Sequence, residues 1–120
     1  MDEKLINKKI LESFLQNISY TTDVSYQRRV WVKGEGPECH SFDDLVCDFF
    51  DLGEPIFEDH KSFGISEIQF KILMKFKDDF DDFCDKYDQP EDFIETDDWK
   101  EIREKAKEVL KAFNYKYPNI

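Results

Sequence analysis

The stretch FKDDFDDFCDKYD, residues 76–88, carries Asp78, Asp81, Asp82 and Asp85, and a second acidic run, SFDDLVCDFFDLG at 41–53, carries Asp43, Asp44, Asp48 and Asp51. Carboxylates at this density have three uses: they ligate a hard cation, they move a proton, or they meet the Lys and Arg of a partner. A calcium loop needs oxygen ligands at alternating positions around a glycine turn, closed by a bidentate Glu. No glycine follows Gly64, and Phe80 and Phe83 stand where ligands would be required. Acid–base catalysis needs paired carboxyls crowded or buried enough to split their pKa values. At about 100° per residue, however, Asp78, Asp81, Asp82 and Asp85 collect opposite the apolar stripe of their helix, on the solvated side. The third use, contact with a cationic partner, is the one these residues fit.

Cysteine and histidine offer the other chemistry. Cys39 and His40 are adjacent, and His60 is the only other histidine. A thiol nucleophile needs its base within hydrogen-bond reach and a third group to orient that base. Adjacent side chains seldom point that way, so Cys39 with His60 is the better pairing. Cys39, His40, Cys47 and His60 together would supply four zinc ligands, but their spacing matches no C-x₂-C signature. Cys47 and Cys84 read as small apolar residues. GEGP at 34–37 lacks the G-K-[ST] of a phosphate loop and opens no helix. Arg28 and Arg29 have abundant aspartates to pair with. No metal site, cofactor or small-molecule substrate is expected.

Periodicity supplies the elements that position these residues. Residues 2–18 place Ile6, Ile10, Phe14 and Ile18 on one side of an amphipathic helix, and the small polar residues of SYTTD end it. Residues 26–33 change period: Tyr26, Arg28, Val30 and Val32 alternate with Gln27, Arg29, Trp31 and Lys33, which predicts a strand before the GEGP turn. Its partner would be 18–24 or PIFE at 55–58. A helix over 41–53 is capped by Ser41 with Asp44 and stopped at Gly53. The longest helix opens at Ser66 with Gln69 three residues on and runs to about Tyr87; a last one runs from Thr96 or Asp97 to about Phe113. The expected fold is mostly α (α+β): about four amphipathic helices around an aromatic-rich core, with a small β element near residues 26–33, in one domain over 1–120.

Ile72, Leu73, Phe76, Phe80, Phe83 and Tyr87 form the core stripe of the longest helix. Phe70 and Met74 lie off that stripe, close to the aspartates. Either neighbouring helices bury this half of the helix on two sides, or the pair is an exposed apolar spot beside an acidic field.

The 120 residues hold 28 Asp and Glu against 17 Lys and Arg, a net charge of −11. That disfavours nucleic acid and anionic membranes as ligands and favours a basic partner. Twelve phenylalanines make a self-supporting core possible despite the 38% charged residues. No signal peptide or membrane span is read, and three widely spaced cysteines suit reduced thiols in the cytoplasm. In size, acidity and organisation the chain resembles the immunity proteins of bacterial toxin systems, including those of contact-dependent growth inhibition. That resemblance implies a non-catalytic inhibitor that occludes the active site, or a nearby surface, of a basic nuclease toxin. The expected contacts are Asp78, Asp81, Asp82, Asp85, Asp43, Asp44, Asp48 and Asp51, with Phe70, Met74 and Trp31 as apolar anchors. The alternatives are a regulatory or adaptor module binding another basic protein, and a small metal- or thiol-dependent hydrolase built on Cys39, His40 and His60.

Overall fold

Helix caps written into the sequence set where the chain turns. The computed structural model describes residues 2–116. Asp2 accepts the Lys4 N–H and opens α1, Glu3–Thr21. Asp23 accepts the Tyr26 N–H and opens the single turn α2, Val24–Tyr26, which passes directly into a π-helical segment, Gln27–Val32. Ser41 and Asp44 form a reciprocal capping box at the start of α3, Phe42–Glu58. A 3₁₀ turn, His60–Phe63, ends at Gly64 in the left-handed conformation (φ 71°), where glycine carries no Cβ penalty. Ser66 and Gln69 repeat the capping box for α4, Glu67–Lys86. The short α5, Pro90–Phe93, leads to Thr96, whose hydroxyl accepts the Trp99 N–H and starts α6, Asp97–Ala112.

The four long helices alternate in direction. Asn17 donates to the Leu45 carbonyl while Phe14 stacks on Phe49 and meets Phe57, so α1 and α3 run antiparallel. Phe42 meets Phe83, Phe49 meets Phe76, and Lys77 lies 5.4 Å above the Phe57 ring, which makes α3 and α4 antiparallel. Gln69 bonds the Ala112 carbonyl at one end of α4 and Lys86 pairs with Asp98 at the other, so α6 descends beside it. The result is an up-down-up-down four-helix bundle in a body whose longest dimension is 40 Å. Phe14, Phe49, Phe76, Phe80, Phe93 and Trp99 are fully buried along its axis. Edge-on and offset ring contacts at 4.7–6.5 Å link Phe42 to Trp31, Phe80, Phe83, Phe93 and Trp99 at one end.

The expected β element at 26–33 is absent: among the described residues no strand occurs and every regular element is helical. The buried positions of the segment are Gln27, Val30 and Trp31, a helical i, i+3, i+4 set, with Val32 exposed. Val-Trp-Val has strand propensity, but tertiary packing outweighs it. Gln27 is the strut that holds the segment. Its Nε2 donates to the carbonyls of Tyr20 (2.8 Å) and Thr21 (2.9 Å), and its Oε1 accepts the Trp99 indole N–H at 2.9 Å. One buried amide thus ties the end of α1 to α6.

Two helices overrun the boundaries read from the sequence. α1 continues through Ser19 and Tyr20 to Thr21, and the Ser19 and Thr22 hydroxyls donate back to the carbonyls of Gln16 and Ser19. α3 does not stop at Gly53 but runs five residues further to Glu58, through Pro55, which lies on the exposed side. Ile56 and Phe57 explain the continuation: Ile56 is fully buried, and Phe57 packs over Gly53, where a missing Cβ admits the rings of Phe57 and Phe14. PIFE is therefore the end of a helix. Among the described residues no helix is long and apolar enough to cross a membrane.

Candidate functional site

The bundle separates charge. Cutting each long helix at its midpoint puts residues 2–11, 51–77 and 105–116 at the end where α1 begins. That half carries eleven bases and eight acids, against six bases and twenty acids in residues 12–50 and 78–104. The whole net charge of −11 therefore belongs to one end, where α3 and α6 start and α4 finishes.

Asp78, Asp81, Asp82 and Asp85 are all exposed on the solvent side of α4. Asp43, Asp44, Asp48 and Asp51 are exposed on α3, with Asp51 at the dividing line. None of these eight makes an ion pair among the described residues, although five Lys or Arg pairs form elsewhere. Asp44 has a local task, since its carboxylate accepts the Ser41 N–H in the capping box. Asp43 also lies in the first turn of α3, where the helix dipole favours an anion. Asp85 lies in the last turn of α4, where the dipole opposes it. Nothing in the fold of α4 rewards that placement.

Sequence reasoning missed a further part of this acidic end. Asp79, Asp82, Asp98 and Glu101 line a crevice of about 200 Å³ between α4 and α6, together with Lys86 and Lys105. Lys105 pairs with Asp79 (2.8 Å) and Lys86 with Asp98 (2.9 Å), leaving Asp82 and Glu101 unpaired there. The Lys86 ammonium and then the Tyr87 hydroxyl hold the Asp98 carboxyl below its usual range. The signal lay in α6, whose first turn is acidic, but its facing of α4 needed the fold.

Phe70 and Met74 are half-buried, between the two readings open to the sequence. The His60 ring stacks flat on Phe70, with centroids 3.8 Å apart and planes 7° apart, and His60 Nε2 meets Glu67 Oε1 at 2.9 Å. Over them lies an open groove of about 560 Å³, walled by Glu67, Lys71, Lys75 and Asp78. The lysines one residue beyond Phe70 and Met74 went unremarked in the sequence, though their spacing already placed them there.

Trp31, expected as an anchor, is only 9% exposed and belongs to the core. Its ring packs against Phe42 and Trp99, and its Nε1–H donates to His40 Nδ1 at 3.2 Å. An indole nitrogen only donates, so Nδ1 is an acceptor here and the His40 proton sits on Nε2. The Tyr26 hydroxyl is 3.1 Å from the same Nδ1. Burial, with Tyr20 and Glu38 adding, pushes the Tyr26 phenol up to about 12.

The thiol and zinc arrangements are not assembled. Cys39 is exposed in the loop beside His40, at the end of the bundle near Tyr20, whereas His60 stacks on α4 near the start of α1. Those points on α1, Asn7 and Tyr20, are some 20 Å apart along the helix. His40 has its Nδ1 taken by Trp31 and Tyr26. No three His, Cys, Asp or Glu side chains among the described residues are grouped to hold a metal. Cys84 is half-buried, and burial, then Asp81 and Asp85, push its thiol up to about 12.

No family model, no curated protein and no solved structure matches this chain.

Proposed function

We propose that this chain is a non-catalytic binding protein whose acidic end engages a basic protein, and that in its cell it serves as a cytoplasmic immunity protein against a nuclease toxin. One observation carries the reading: the entire charge excess is gathered at one end of the bundle, where Asp43, Asp44, Asp48, Asp78, Asp81, Asp82 and Asp85 are exposed and make no ion pair among the described residues. A surface of this kind attracts cationic groups that otherwise hold nucleic-acid phosphates, and occlusion of those groups blocks a nuclease without chemistry. The likeness to toxin-immunity proteins in size and acidity adds the biological setting.

The test is capture of the tagged chain's partner at low salt, followed by elution on a salt gradient. A single basic protein at one-to-one stoichiometry, with nuclease activity that falls when the chain is added, supports the reading. The variant carrying Asp78→Asn, Asp81→Asn, Asp82→Asn and Asp85→Asn should bind that protein with an on-rate about tenfold slower or more at low salt. Equal on-rates for variant and parent, or association indifferent to salt, would remove the electrostatic mechanism.

A further inference from the structure

The groove over Phe70 and Met74 and the aspartates beyond it lie on one continuous face of α4. At about 100° per residue, Phe70, Met74, Asp78, Asp81, Asp85, Lys71, Asp82 and Lys75 fall within an arc of about 140°. Along that arc the chemistry changes in order. The first half has apolar Phe70 and Met74 flanked by Lys71 and Lys75, with the Glu67 carboxylate turned to His60, and the second half has only carboxylates. Phe70 is fixed before any partner arrives, because His60 lies flat against it and Glu67 holds His60. A pre-set apolar platform loses little freedom on binding. A partner carrying only positive charge would meet Lys71 and Lys75 as repulsion, so the face selects a mixed pattern.

We propose that this face docks a single amphipathic element of the partner, with a large apolar side chain seated on Phe70 and Met74, an acidic residue at Lys71 and Lys75, and Lys or Arg opposite Asp78, Asp81, Asp82 and Asp85. The proposal rests on the reading of the acidic end as a protein-binding surface and adds the orientation and sequence pattern of what binds. From Phe70 to Asp85 the helix rises about 22 Å, which a helix of about fifteen residues or a strand of about seven would span. Affinity comes from the apolar anchor and direction from the two opposite charge zones.

Three synthetic helical peptides of about sixteen residues serve as probes against the isotope-labelled full chain. One has Glu at one end, Leu in the second and third turns and Lys along the rest; the second replaces Leu by Ser; the third has Lys in place of both Glu and Leu. Titration followed by NMR should show the zoned peptide binding at least tenfold tighter than either control. The Met74 methyl, the Phe70 ring and the amides of 78–85 should shift together. The variant Lys71→Glu/Lys75→Glu, both exposed positions, should weaken the zoned peptide at least fivefold and strengthen the all-Lys one. If the all-Lys peptide binds as well as the zoned one, this inference falls while the acidic-end reading stands. If no peptide binds, or if shifts from a second copy occupy the same face, the inference also falls. The captured protein then decides the acidic-end reading alone.

Discussion

Replacing Gln27 by Leu probes the joint on which the irregular half of the bundle depends. The substitution keeps the volume and removes three hydrogen bonds to a side chain that is 0% exposed. Their losses are unequal. The Tyr20 carbonyl retains the backbone N–H of Thr22 that caps α1, so it is not orphaned. The Thr21 carbonyl loses the Gln27 donor, and the Trp99 indole N–H, on a ring with no exposed surface, loses its only acceptor. One buried donor and one carbonyl left unsatisfied, at about 1–3 kcal/mol for the first and about 1 for the second, predict a loss of about 3 kcal/mol. For a chain this size that lowers Tm by roughly 10 °C. Urea denaturation followed by circular dichroism should show the midpoint fall with the slope unchanged. The companion variant Trp99→Phe removes the stranded donor along with some packing. Combining it with Gln27→Leu should therefore cost less than the sum of the two, by about 1–2 kcal/mol. A single-variant loss below about 1 kcal/mol, or strictly additive costs, would refute the strut.

Gly53→Ala reverses the usual helix rule. An added Cβ meets Phe57 at 2.6 Å and the fully buried Phe14 at 2.9 Å, so the Tm should fall, by about 1–3 kcal/mol of stability, where an exposed helical glycine would gain. Thiol titration at pH 8 should show Cys39 and Cys47, both exposed, reacting quickly and Cys84 only on unfolding; three equal rates would contradict the raised Cys84 thiol. Hydrogen bonds from Arg29 hold the Glu38 carboxyl down from its usual 4.5 to about 2. Because the folded value is the lower one, its stabilising contribution is complete above about pH 4.5 and fades as the pH falls toward 2. Denaturation midpoints measured across that window should drop less steeply for Glu38→Gln than for the parent.

The sequence carried the long helices because their signals are local. Ser66 with Gln69 and Ser41 with Asp44 are capping pairs readable three residues apart, and both form as reciprocal boxes. What failed was also local reasoning, applied where distant residues decide. Val30-Trp31-Val32 alternates like a strand, yet Gln27 anchors that segment through Trp99, 72 positions away. Gly53 read as a stop, yet Phe14 on another helix makes the gap at Gly53 worth filling. The outward aspartates were legible from the phenylalanine stripe. That the acids gather at one end of the bundle was not, since it follows from four helices alternating in direction. The strand reading put Trp31 on one face with Gln27, Arg29 and Lys33, whereas the helical turn directs it onto Phe42 and Trp99.

The separation of charge between the two ends of helices up to 20 residues long makes the molecule behave like a needle in a field. Near any strongly positive surface it feels torque as well as attraction, and rotates so that the end where α3 and α6 start leads. Screening confines that torque to about 8 Å at physiological ionic strength. Turning therefore happens in the last nanometre of approach, and it biases the first contacts toward the acidic end.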